Sequence, residues 1–147
     1  MVSIAVHAEP IWRGVANFVA RAPIEDGFEQ LWTRKEDDRH VICCIPFFVY
    51  DLALGDTVLL DANGVVEGVV SRSGRNVARL WFGDSDEDQT AILTKLHLLG
   101  AQTERSSPNL VAVDYLERSA VGVEVMLTNG HDQGLFVFER GNQGSRQ

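Results

Sequence analysis

Apolar and polar residues alternate weakly over positions 1–27. "SIAVHA" and "ANFVARA" are candidate strands there, with "EPIWRGV" a turn or short bridge between them. "FEQLWTRK" (28–35) alternates clearly and runs into the charged "KEDDR", which reads as a hairpin turn. "HVICCIPFFVY" (40–50) is a continuous apolar, β-branched and aromatic run. Its length suits a buried strand rather than a helix. Pro46 cannot donate to a ladder, so this strand is an edge, bulged or broken at that point. "DTVLLDA" is another strand. Asn63-Gly64 is a strong hairpin dipeptide, and "VVEGVVSRS" returns from it with Gly68 placed for a bulge. "SGRN" then turns into "VARLWF". Residues 28–82 therefore read as an antiparallel meander, a strongly curved sheet or small barrel.

The period changes in "GDSDEDQTAILTKLHLLG". Asp84 or Ser85 can cap a helix there, and Asp86, Glu87 and Asp88 suit its positive end. Ile92, Leu93, Leu96 and Leu98 or Leu99 form its apolar face, and Gly100 is placed to stop it. "AQTERSS" and "NLVAVDYL" are short strands around a Ser-Ser-Pro-Asn turn. For residues 117–129 two readings stay open. The spacing of Ala120, Val121 and Val125 allows a helix ending at Gly130, whereas the β-branched content and Gly122 allow a strand. "LFVFER" (135–140) is a strand. With the helix option, residues 77–140 run β-α-β-β-α-β, the split βαβ or ferredoxin-like order. The expected fold is thus α+β and a single compact domain. Residues 1–27 form an extension packed on it, 28–82 the meander, 77–140 the ferredoxin-like half and 141–147 a frayed tail.

Composition narrows the function classes. At 147 residues the chain is long enough to bury a core without staples. Its formal net charge of −8 argues against nucleic acid, which needs a basic face, and against anionic membrane surfaces. The charge suits a basic protein partner. The two cysteines are adjacent, so they build no disulfide framework and lack zinc spacing. No signal peptide and no apolar run of about 20 residues is visible, which points to a cytoplasmic, reducing setting.

Several stretches carry a family likeness: "EQLW" (29–32), "IPFFVYDLALGD" (45–56), "SGRNVAR" (73–79), and "LGAQTE" through "LVAVD" (99–114). Together they resemble the bacterial domain of unknown function 4265, whose marker is a Gly-Asp pair, here Gly55-Asp56. That resemblance implies no activity and transfers no catalytic residue.

Among candidate site residues, Asp56 is either a turn device, bonding nearby amides after a strand, or an exposed carboxylate at a sheet mouth. Cys43 and Cys44 point to opposite sides of a strand, so one can be core while the other differs. Cys44 as a nucleophile needs a histidine beside it. His40 lies on the same face but about 13 Å away along an extended strand. His7, His40, His97 and His131 show no ligand spacing, so no metal or cofactor is expected. Arg72, Arg75 and Arg79 cluster around a Ser-Gly turn. They form either a solvated hairpin or a seat for a small anion. Phe47-Phe48 and Trp81-Phe82 each put one ring on each side of a strand. With Tyr50, the outward rings are interface candidates, and Phe47, Tyr50 and Trp81 are taken as binding residues.

Three functional readings follow. The first is a non-catalytic protein-binding domain of immunity or regulatory type, whose partner is a basic protein or a second copy of the chain. The second is a small-molecule module holding an anionic ligand with Arg72, Arg75 and Arg79. The third is an enzyme using Cys44, or Asp56 with a histidine.

Overall fold

The computed structural model describes residues 3–83 and 89–141. Among the described residues, ten strands form two sheets. They are β1 (Ser3–Ala5), β2 (Phe18–Ile24), β3 (Gly27–Glu36), β4 (Arg39–Ile42), β5 (Thr57–Leu60), β6 (Val66–Ser71), β7 (Asn76–Trp81), β8 (Gln102–Ser107), β9 (Leu110–Tyr115) and β10 (Val137–Arg140). Helices α1 (Gln89–Leu98) and α2 (Ala120–Asp132) follow β7 and β9. The fold is mixed α+β. No helix among the described residues is long and apolar enough to cross a membrane.

The first sheet runs β1-β3-β4-β5-β6, with β2 on the other edge of β3. Strand β3 is long enough to serve three neighbours. Its alternating stripe turns Glu29, Leu31 and Thr33 inward. β2 pairs along Gly27–Thr33, β4 along Thr33–Glu36, and β1 lies parallel to Gly27–Glu29. Gly27 is needed for that approach, because a Cβ there would run into the Ser3 carbonyl. The β5–β6 ladder shifts register on both sides of Gly68, which bends the sheet. One bridge, Arg21 to Val65, brings β2 and the start of β6 together. The sheet curls around Leu31, Ile42, Cys44, Leu52 and Val58 but does not close as a barrel.

The second sheet has the order β10-β7-β9-β8, and all neighbours are antiparallel. Its strands alternate. Ala78, Leu80, Val111, Val113 and Tyr115 pack under the helices with Ile92, Leu96, Val123 and Leu127. The other face turns toward the first sheet. There Val77 and Ala112 meet Ile45, Phe47 and Ala53.

Several expectations change. β7 belongs to the second sheet, so the meander ends at β6. Residues 120–132 are helical, but α2 buries Ala120, Val123, Leu127 and Gly130 and leaves Val121 and Val125 exposed. Gly130 does not end this helix, because its missing side chain makes room for Phe136. On α1, Ile92 and Leu96 are buried while Leu98 is exposed. The proposed capping acids at 84–88 lie outside the described residues, as does the tail from 142. The largest correction concerns residues 43–50. Strand β4 stops at Ile42, and this apolar run crosses between the sheets as irregular chain.

Candidate functional site

A buried segment outside any ladder must satisfy its backbone polar groups in another way, since each one left unpaired costs about 1–3 kcal/mol. Residues 43–50 do so with charged side chains. Glu29 accepts the amides of Phe47, Phe48 and Val49 at 2.7, 2.8 and 3.0 Å. Glu104 accepts those of Ile45 and Ile11 at 2.5 and 3.2 Å. Arg79 donates to the carbonyls of Phe47, Pro46 and Val49, and its guanidinium lies 4.4 Å from the Tyr50 ring centroid.

His7 completes the arrangement. Its Nε2 lies 2.7 Å from Glu29 and its Nδ1 2.8 Å from Glu104, and its ring stacks on Phe47 with centroids 4.0 Å apart. Both carboxylates are acceptors, so both ring nitrogens must donate and the ring is an imidazolium. Burial opposes that charge. The Cys44 thiol, Glu104 and Glu29 outweigh it and push the pKa up to about 11. Two carboxylates and two cations therefore share the seam between the sheets, and their charges cancel. That balance is what makes burial tolerable.

The elements explain the convergence. Glu29 lies on the inward stripe of β3 beside Leu31. In the second sheet Glu139, Arg79, Ala112 and Glu104 are cross-strand partners in one row, so all four project from the seam face.

The sequence-derived candidates are distributed as follows. Cys44 is fully buried beside His7. Burial pushes its thiol pKa up even though His7 pulls it down. His7 has no nitrogen free to take a proton, so the pair is not poised as a thiolate and base. His40 bonds Thr33 instead, at 2.9 Å. Asp56 is buried and serves its turn. It accepts from Ala53 at 3.0 Å and Ser73 at 2.8 Å, with Arg72 at 3.5 Å. Burial raises its pKa against the pull of those bonds. Gly55, at φ 86, supplies the left-handed conformation the turn needs.

The three arginines do not converge on a common seat. Arg72 reaches Asp51 and Asp56, Arg75 makes a two-pronged bond to Asp114 at 3.0 Å on each arm, and Arg79 lies in the seam. Phe47 is buried, whereas Phe48, Tyr50 and Trp81 are exposed. Trp81 pairs across the sheet with Val137 and Leu110, and Tyr50 donates to Glu139 in the adjacent row. Among the described residues, no group of three or more His, Cys, Asp or Glu side chains is arranged to hold a metal ion.

Sequence reasoning missed His7, Glu29 and Glu104 as a unit. The legible signal was Glu29, a carboxylate in the apolar register of an alternating strand. Nothing in the spacing of residues 7, 29 and 104 pairs them.

The profile described as "Domain of unknown function (DUF4265)" matches residues 29–138. The chain belongs to this family. The DUF4265 match begins at Glu29 and includes Glu104 and Arg79, while His7 lies before it. No curated protein matches the chain. A solved structure titled "Novel crystal structure of a hypothetical protein from Neisseria gonorrhoeae" is similar, with a TM-score of 0.72 at 14% identity. The alignment covers 87% of this chain and 97% of that one. At that identity the likeness concerns the fold.

Proposed function

We propose that this DUF4265 protein is a non-catalytic interaction domain that binds a protein partner through the face carrying Trp81, Val137, Tyr50 and Phe48. The observation that carries this reading is the exposed aromatic and apolar group beside a polar seam whose two carboxylates are engaged, with Arg79 Nη1 buried and without a hydrogen-bond partner among the described residues. Trp81 and Val137 are 49% and 55% exposed although they face each other across a ladder, and Tyr50 is 56% exposed. Large rings left on one sheet face are anchors of the kind that dominate interface energies. The neighbouring titratable groups are occupied. Glu29 accepts four hydrogen bonds, about the capacity of a carboxylate. The immunity or regulatory role belongs to this reading, as does a basic partner, which the net charge of −8 favours, or a second copy of the chain, which that charge does not favour. The strand order β10-β7-β9-β8 with helices after β7 and β9 supports a ferredoxin-like second half.

The test measures self-association by sedimentation and partner binding by titration calorimetry, with any co-purifying protein as the probe. Trp81→Asp and Tyr50→Asp should abolish association while leaving the thermal midpoint within a few degrees of wild type. A wild-type protein that is monomeric and co-purifies with nothing overturns the reading. So does association that both variants retain.

The anion-binding alternative rests on Arg72, Arg75 and Arg79. Their acidic and carbonyl partners leave them on three separate duties, so it has less support.

A further inference from the structure

His7 is placed as a ligand is placed. A flat ring lies on Phe47, with an interplanar angle of 9°, and a carboxylate grips each edge. The side chain comes from a strap, residues 3–12, that is lightly held. β1 has three residues, and Ser3 and Ile4 are exposed. Beyond it, the strap's hydrogen bonds to the body among the described residues are those of the His7 ring, the Ile11 amide on Glu104 and the Trp12 amide on Cys43, with Ile11 packed against the Ile45 and Phe47 cluster and the Trp12 ring centroid 5.4 Å from the Arg75 guanidinium. A groove lies on each side of His7. One, of about 720 Å³, is lined by Ile4, Val6, Phe48 and Tyr50, with Glu25 and Asp26 at its rim. The other, of about 900 Å³, is lined by Ala8, Glu9, Arg13 and Glu104. Ser106 of β8 lines both, and Val6 and Ala8, the chain neighbours of His7, line one each.

We propose that the Glu29–Glu104 slot is a binding site for a planar monocation and that His7 is its resident intramolecular occupant. An extended basic segment of a partner protein takes the same slot with an arginine guanidinium when the strap is displaced. A guanidinium is flat, presents donors along two edges, stacks on aromatic rings, and carries the single positive charge that the carboxylates require. Glu25 and Asp26 at the first groove's rim complement further basic residues of that segment. The partner in this proposal rests on the interaction reading above, whereas the slot itself does not.

The full-length His7→Gly variant tests the slot with imidazole and methylguanidinium as probes. Each should raise the thermal midpoint of the variant by several degrees, leave wild type unmoved, and protect Cys44 from alkylation as read by peptide mapping. The added substitution Glu104→Gln should remove both effects. No shift and no protection overturns the slot, and leaves the Trp81 and Tyr50 binding test standing by itself. A synthetic peptide of residues 3–12 carrying His7→Arg tests the partner chemistry on the same variant. It should bind at least tenfold more tightly than the peptide carrying His7→Ala. Equal affinity overturns the guanidinium assignment even where the small cations bind. Should His7→Gly not fold by itself, refolding it with and without methylguanidinium carries the same criterion: recovery of the folded state only with the cation supports the slot, and no recovery overturns it.

Discussion

The helix-covered face of the second sheet and the seam on its opposite face bury chain by different means. Under the helices, backbone groups are paired in ladders and helical turns, and the contacts are Leu, Val, Ile, Ala, Phe, Met and Tyr. At the seam, residues 43–50 have no ladder, and Glu29, Glu104 and Arg79 take its place, with His7 as the counter-ion of the two carboxylates. The first arrangement is local and graded, and removing a methyl group removes a little stability. The second is all-or-none, because one missing partner leaves a buried charge without a counter-ion.

Substitutions should separate the two. Glu29→Ala is expected to have the largest effect, about 3–5 kcal/mol or loss of folding, since it strands His7 and three amides together. Chemical denaturation checks it. A loss below about 1 kcal/mol would remove the distinction drawn here. His7→Ala comes next, at about 3 kcal/mol, and its signature is pH. The folded ring keeps its proton up to about 11, whereas the unfolded ring loses it near 6.5. Its contribution is therefore fully present below about 6.5 and declines as pH rises toward 11. Stability curves for wild type should fall across that window more steeply than those for His7→Ala. Parallel curves would mean that His7 is not the imidazolium described.

Leu127→Ala, in the opposite core, should cost about 2–4 kcal/mol through its cavity. It should shift the stability-versus-pH curve without changing its shape. Cys44→Ala, beside His7, should cost about 1–2 kcal/mol as a small packing loss. Smallest of all, Leu98→Gln and Val121→Lys on the outer helix surfaces should stay within about 0.5 kcal/mol. A large loss from either would point to an interface on the helical side instead.

The same contrast explains what was legible beforehand. Strands β3, β5, β8 and β9 and helix α1 follow from period and turn chemistry. In β5, β9 and α1 the inward residues include Val58, Val111, Val113, Ile92 and Leu96, whereas β3 and β8 carry Glu29 and Glu104 at buried positions. Residues 43–50 read as a strand from their apolar run, wrongly. Apolar composition reports burial, and only partners in space report whether a ladder is available. Val121 and Val125 misled similarly. They are helix formers by spacing, but the sheet lies under Val123 and Leu127. The arginine cluster was visible as a cluster in sequence. Alternation and turn geometry then sent Arg72, Arg75 and Arg79 to three different partners. Of the rings taken as outward, Trp81 and Tyr50 are exposed, but Phe47 is buried and Phe48 is exposed in its stead.

By itself, the sequence determined the α+β class, the family, most strand and turn positions and the Gly55-Asp56 turn. These depend on neighbours within a few residues, where backbone geometry and hydrophobic period act. The tertiary structure alone decided that His7 would be charged, that Glu29 and Glu104 would cap a buried segment, and that Cys44 would lie beside a histidine without being activated. The protonation of a buried group depends on which charges face it, and here those charges come from positions 7, 29 and 104, brought together only when the two sheets pack.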